Sequence, residues 1–354
     1  MRILFVARKC LPIQSSSLDE RPLGGTETAL IRLSEVLAQR EHEVSIVSSP
    51  PAPNSNAVKY YSTRDFSLSF PFDCVVCVKE WQPLFLPIRG LRYFFWTGDG
   101  FDQYINFGLG DKRVIERLSA VLAVSSWQAD TLCERSGFPR EKVSVIKNAI
   151  HLPYFLDRGQ RSANRLIYSA APHRGLALVP AIYSKLKEKH PELELHVFSG
   201  LSIYDSDRPY QGPEVDAYRK LCSTLQQLPN CVLHGNVKQA ELAREMLCSA
   251  LFIYPNISYE TSCISAIEAM AAGCPVVCSA ISALPETVGD CGGLIEGTPG
   301  SVGYMESFIN VCDRFLSDRK YWEEMSIRAI ERVRKEYTWE HVADRFEQAV
   351  GEQD

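Results

Sequence analysis

The chain has 354 residues, 45% of them hydrophobic and 23% charged, with a formal net charge of -5. That length exceeds what one compact core usually holds, so two domains are expected, with the composition of an ordinary globular enzyme. Mild acidity argues against a nucleic-acid binder, and no apolar run approaches the length of a membrane-spanning helix.

MRILFVARK opens the chain as a strand followed by charge, unlike a secretory signal. Apolar runs then predict strands at residues 3–6, 44–47, 75–78, 93–96, 121–124 and 143–146. Helices are expected at 26–39, around 113–117 and at 127–136. This alternation predicts a doubly wound parallel sheet. The polar stretch 157–164 marks a domain boundary, which gives domains 1–156 and 157–336. The second half repeats the pattern, with strands at 166–169, 194–198, 232–234, 251–254 and 276–278. Its helices are expected at 178–189, 216–227, 240–248 and 261–272. Amphipathic helices at 302–316, 319–336 and 340–350 close the chain, with Thr338 capping the last. Twelve cysteines are scattered through apolar stretches. Cys74 and Cys77 form a C-x-x-C inside FDCVVCV with no second ligand pair nearby. Buried, reduced thiols in a reducing cytoplasm are expected there rather than zinc.

The most informative stretch is YPNISYETSCISAIEAMAAGCPVVCSAISALPETVGDCGGLIE, beginning at Tyr254. The apolar run 250–255 stops at Pro255 like a buried strand, and a helix follows that ends at Gly273. Strand, loop, helix and strand make a crossover unit, and parallel sheets bind ligands at the carboxyl ends of their strands. The helix start offers unpaired amides that favour phosphate: Ser262, Cys263, Ile264 and Ser265. Glu260 at that mouth would repel phosphate, so it is read as an acceptor for neutral sugar hydroxyls. Glu268, two helical turns on, suits a vicinal diol such as ribose. Amides for a diphosphate, flanked by two hydroxyl acceptors, fit a nucleotide-sugar. The competing reading makes both acids solvated helix charges, although charges are seldom buried without partners.

The acid pair, the following EAMAAGCPVV and the ALPETV stretch resemble the retaining glycosyltransferases of family four. The resemblance implies a GT-B fold: two Rossmann-like domains facing a central cleft, the second holding the donor. It implies that the segment 337–354, with TWEHVADRF, crosses back to the first domain. It also implies that the loop His234-Gly235-Asn236-Val237 lies beside the nucleobase, with His234 itself read as a core histidine rather than a catalytic one. The Leu23-Gly24-Gly25-Thr26-Glu27 turn would face the diphosphate and the acceptor, and the polar segment 9–23 would lie on the acceptor side. The other reading of Gly24 and Gly25 is a plain tight turn; the spacing is not that of a dinucleotide-binding loop.

Arg174 follows the first strand of the second half, where a cation would neutralise a diphosphate leaving group. Pro172-His173-Arg174-Gly175-Leu176 resembles a subset of the family that carries a Pro-x-Arg-Gly-Leu segment. The usual pattern has an Arg five positions before a Lys-Gly, and Ser169 stands where that Arg would be. Asp99, in Thr97-Gly98-Asp99-Gly100, occupies a loop where many relatives have a histidine. It is either a turn residue or a group that orients donor sugar or takes the acceptor's proton.

The expected activity is hexose transfer from a nucleotide-sugar, UDP-glucose by resemblance, to a hydroxyl on a glycan, glycolipid or small molecule. No metal and no cofactor are expected. Asp205-Ser206-Asp207 has the spelling of a metal-bound donor motif but falls in a polar loop. The expected location is the cytoplasm or the inner face of the membrane. The alternatives are an inactive nucleotide-sugar binder and a GT-B epimerase or phosphorylase.

Overall fold

The computed structural model describes residues 1–50, 57–62, 71–157, 160–201 and 212–351. The Asp205-Ser206-Asp207 segment lies outside them. The chain divides into two compact units. Unit 1 comprises Met1–Leu18, Gly24–Ala149 and Tyr337–Asp354; unit 2 comprises Asp19–Leu23 and Ile150–Glu336. Packing thus changes over between Ala149 and Ile150, a few residues ahead of the polar stretch 157–164.

Unit 1 holds the strands β1 (Arg2–Val6), β2 (Glu43–Val47), β3 (Lys59–Tyr61), β4 (Phe72–Val78), β5 (Gly90–Thr97), β6 (Ala120–Ala123) and β7 (Val143–Val145). They form one sheet in the order β3-β2-β1-β4-β5-β6-β7, with parallel pairing throughout. Consecutive residues such as Ile3, Leu4 and Phe5 are all fully buried. Continuous burial, rather than alternation, is what helices on both faces of a parallel sheet produce. Cys74 and Cys77 are buried in β4, and burial pushes both thiols up. Three residues apart on a strand, they point to opposite faces and share no common site.

The last helix, Trp339–Gly351, belongs to unit 1 and lies on the Gly25–Gln39 helix. Its apolar stripe buries Val342, Ala343, Phe346 and Val350, and the Phe346 ring stands 5.8 Å from Phe5. Arg40 pairs with Glu347 at 2.7 Å and with Asp344 at 2.8 Å along the same seam. Thr338 caps the helix, accepting from the His341 amide at 3.4 Å.

Unit 2 repeats the design with β8 (Arg165–Ser169), β9 (Glu194–Phe198), β10 (Cys231–Leu233), β11 (Leu251–Tyr254), β12 (Val276–Ser279) and β13 (Gly293–Ile295). Their order is β10-β9-β8-β11-β12-β13. In both sheets the winding reverses once, between β1 and β4 in unit 1 and between β8 and β11 in unit 2. Such switch points open a crevice at the strands' carboxyl ends.

Several elements depart from the sequence expectation, among them the unforeseen short helices Ser17–Glu20 and Leu284–Val288. β3 and β13 are additional three-residue strands. β13 starts on a glycine because the Val302–Ser317 helix packs onto it; a side chain at Gly293 would stand 2.4 Å from Val311 Cγ1. The helix carrying Glu268 begins at Ile264, not Thr261. Its expected first residues are held in the loop instead. The Glu260 carbonyl accepts from the Ala283 amide at 3.0 Å, and the Glu260 carboxylate accepts from the Ser262 amide.

Candidate active site

The unit 2 switch point brings together two predicted residues and one unpredicted. Arg174 leaves β8 and Glu260 follows β11. Arg174 Nη1 donates to Glu260 Oε2 at 2.6 Å, and the Tyr254 hydroxyl donates to the same oxygen at 2.8 Å. Gly175 makes this meeting possible. It adopts φ +89°, and a side chain there would stand 1.9 Å from the Pro255 carbonyl oxygen. Only glycine combines that left-handed backbone with so close an approach to the neighbouring loop. That loop is tied down by hydrogen bonds in turn. Asn256 is fully buried and closes a turn with Ser258, while its carbonyl accepts from Ser279 Oγ at 2.6 Å.

Burial pushes the Glu260 carboxyl up, opposed by Arg174, Tyr254 and the Ser262 amide. Burial works against the Arg174 charge, but Glu260 outweighs it and the guanidinium stays protonated. A charge-assisted bond in so dry a place is strong and directional. Sequence reading missed Tyr254, although a tyrosine closing a buried strand needs a partner for its hydroxyl.

Glu268 lies on the Ile264–Ala271 helix, 4% exposed. Gln239 Nε2 donates to its Oε1 at 2.7 Å. Burial pushes this carboxyl up to about 7, with the Gln239 bond pulling the other way. Gln239 opens the Gln239–Cys248 helix and carried no sequence signal. No side-chain hydrogen bond caps the Ile264–Ala271 helix, and Cys263 sits at its N-cap.

His234 directly follows β10. Its ring stacks on Phe198 at 4.2 Å, and its Nε2 lies 3.0 Å from His196 Nδ1. One ring must donate and the other accept, so the two histidines satisfy each other. Burial holds both below the usual histidine range. Gly235 follows with φ +72°, and the Asn236 side chain packs against Gly200.

In unit 1, Gly24 is the N-cap of the Gly25–Gln39 helix with φ -70°, a conformation open to any residue. A tight turn therefore does not require glycine at this position. Glu27, 1% exposed, accepts from the Leu11 amide through Oε1 at 3.1 Å, while its Oε2 has no partner among the described residues. The loop at Asp99 is held by side chains that sequence reading missed. Gln128 Nε2 donates to the Asp99 carbonyl at 2.8 Å, and Asn106 Nδ2 to the Gly100 carbonyl at 2.8 Å. Asp99 Oδ2 is buried without a partner among the described residues. Burial raises this carboxyl, Lys79 lowers it and Glu27 raises it further. Glu27 and Asp99 thus each present an unmet acceptor among the loops at the strand ends of unit 1.

Residues 166–334 match the family described as "Glycosyl transferases group 1". That matched segment lies within unit 2. The chain is 26% identical over 198 residues to a lipopolysaccharide 1,2-N-acetylglucosaminetransferase of Salmonella typhimurium, covering 53% of this chain and 48% of that protein. It is 26% identical over 324 residues to an MMP α-(1→4)-mannosyltransferase of Mycolicibacterium hassiacum, covering 90% of this chain and 72% of that protein. The match to the Salmonella transferase thus takes in about half of that relative's length. Among solved structures, Anabaena HepE in complex with UDP-glucose superposes over 100% of both chains, with a TM-score of 0.71 and 15% identity. That likeness shows the GT-B fold. Arg174, Glu260, Glu268 and Gln239 all fall inside the matched glycosyl transferase segment. No helix among the described residues is long and apolar enough to cross a membrane.

Proposed function

We propose that the protein transfers a hexose, with retention of anomeric configuration, from a nucleotide-sugar to a hydroxyl acceptor in glycan or glycolipid assembly. UDP-glucose is the proposed donor. The observation that carries the reading is the convergence of Arg174, Glu260 and Tyr254 at the switch point of the glycosyl transferase domain.

Arg174 spends one nitrogen on Glu260 and keeps further N–H donors for a diphosphate. As the bond from the sugar's anomeric carbon to phosphate oxygen breaks, negative charge gathers on the diphosphate. Arg174 and the amides from Cys263 to Ser265 stabilise it there, the Ser262 amide being committed to Glu260 rather than unpaired as expected. The acceptor oxygen bonds to the anomeric carbon on the face the phosphate leaves, and its proton passes to the departing phosphate oxygen. No protein nucleophile and no metal take part. Glu260 holds sugar hydroxyls with the capacity that Arg174, Tyr254 and the Ser262 amide leave open. Glu268 takes the ribose diol, and the loop at His234–Val237 meets the base. Within unit 1, Asp99 and Glu27 offer acceptors suited to a hydroxyl compound. HepE, crystallised with UDP-glucose, supports the donor choice by its fold.

Nucleotide release from UDP-glucose, UDP-N-acetylglucosamine, GDP-mannose and ADP-glucose tests this, with the product anomer read by NMR. Release from UDP-glucose and a product of unchanged anomeric configuration are expected. Release from GDP- or ADP-sugars alone overturns the base, and an inverted product overturns the mechanism. Ser169 favours one second reading, an inactive nucleotide-sugar binder, because it stands buried where the family pattern carries an arginine. Donor binding without release in the same assay would select it.

A further inference from the structure

The bond between Gln239 and Glu268 leaves an acceptor unmet on the glutamine. Gln239 Nε2 donates to Glu268 Oε1 at 2.7 Å. An ionised carboxylate only accepts, so the amide must turn its NH2 toward it. The carbonyl oxygen then points away on the other arm of the amide. That oxygen is buried and has no hydrogen-bond partner among the described residues. An unmet acceptor in a dry place is costly, which calls for an explanation such as a donor brought by a ligand. Glu268 has no other side-chain hydrogen bond among the described residues, so its second oxygen is uncommitted. The two bonded side chains therefore each keep an acceptor in hand, one charged and one neutral. Gln239 also begins its helix two residues after the His234–Val237 loop, so its bond ties the end of that loop to Glu268.

We propose that Gln239 is a second ribose ligand: its carbonyl oxygen takes one hydroxyl of the vicinal diol, while Glu268 takes the other. This rests on the donor site proposed above. It changes the stoichiometry read from sequence, which assigned both hydroxyls to Glu268. The amide has two tasks. It fixes the carboxylate by donating to it, and it reads a hydroxyl that the carboxylate cannot take alone. A site built this way rejects a deoxyribose analogue, because removing either hydroxyl strands a buried acceptor.

The test measures calorimetric affinities of UDP, 2′-deoxy-UDP and 3′-deoxy-UDP on the intact protein. The Gln239→Leu, Gln239→Asn and Glu268→Gln variants are measured alongside. Wild type should bind each deoxy analogue about fivefold to tenfold more weakly than UDP. Gln239→Leu should become indifferent to one missing hydroxyl, within about twofold, and stay sensitive to the other. Glu268→Gln should show weakened sensitivity to that other hydroxyl. Gln239→Asn keeps the amide but withdraws it by one methylene. It should match the leucine variant and guards against misfolding. If Gln239→Leu weakens all three ligands equally and keeps both ratios, the glutamine only positions Glu268 and the proposal is overturned. If wild type ignores both deletions, the ribose assignment of Glu268 fails and this inference with it.

Discussion

Glu268 is a carboxyl whose burial opposes the charge that its proposed ligand needs. Glu268→Ala should weaken free UDP and full donor alike, by about 1.5–3 kcal/mol for a charge-assisted contact. Unchanged calorimetric affinity would remove the residue from the site. Burial pushes its folded-state value up to about 7, above the ordinary carboxylate range. Between that ordinary range and about 7 the folded protein holds a proton that the unfolded chain has lost. Stability from this group is therefore full at lower pH and falls as pH rises through that window. Ribose binding needs the carboxylate, so UDP affinity should climb over the same interval, and a flat profile would contradict this. Arg174 and Glu260 answer for each other. Arg174→Ala should lower kcat by about a hundredfold or more, because charge develops on the diphosphate as the bond breaks. It should also cost about 2–4 kcal/mol of stability by leaving Glu260 buried without its cation. Part of that melting loss should return in the double variant with Glu260→Gln, and an additive loss would deny the coupling. Glu260→Ala alone should depress turnover while free UDP still binds; equal loss of UDP affinity would give the residue another role.

At the scale of elements, the site is made by two loops that touch because one residue has no side chain. Gly175 combines φ +89° with contact to the Pro255 carbonyl. Gly175→Ala should cost roughly 1–3 kcal/mol in backbone strain, with further loss from the clash. Thermal melting reads the stability. Nucleotide release should fall as well, because Arg174 moves with the loop. A variant with native melting and native activity would show that the loops tolerate separation. Sequence marked the Arg174–Gly175 pair as a phosphate loop but not the reason for the glycine, since that reason lies in Pro255, eighty residues away in the chain. The displaced start of the Glu268 helix has the same origin. The run from Thr261 reads as helix in the sequence, yet the Ala283 bond to the Glu260 carbonyl and the Ser262 bond to the Glu260 carboxylate hold its first residues in the loop. Tertiary bonds outweigh the small propensities of such residues.

At the scale of the whole molecule, transfer should run without a divalent metal. Arg174 and a helix start stand at the place where the diphosphate is proposed to bind. Saturating EDTA should leave the rate within about twofold, against the thousandfold scale on which lost charge stabilisation shows. Collapse on chelation, restored by magnesium or manganese, would send the search to Asp99, to Asp102 three residues after it, and to Asp205 and Asp207. The order of strands and helices, the doubly wound class of both halves and the place of Glu260 and Glu268 were legible in the amino-acid sequence. Buried parallel strands write themselves as continuous apolar runs, and crossover helices write themselves as period-3.6 stripes between them. The sequence also placed Arg174 at a strand end, where parallel sheets hold ligands. What only the tertiary structure decided is who faces whom. The Arg174–Glu260 pair spans 86 positions, Gln239–Glu268 spans 29 and Gln128–Asp99 spans 29. No periodicity encodes those partners, because a hydrogen bond between distant loops depends on sheet order and on the packing that sets two strand ends side by side.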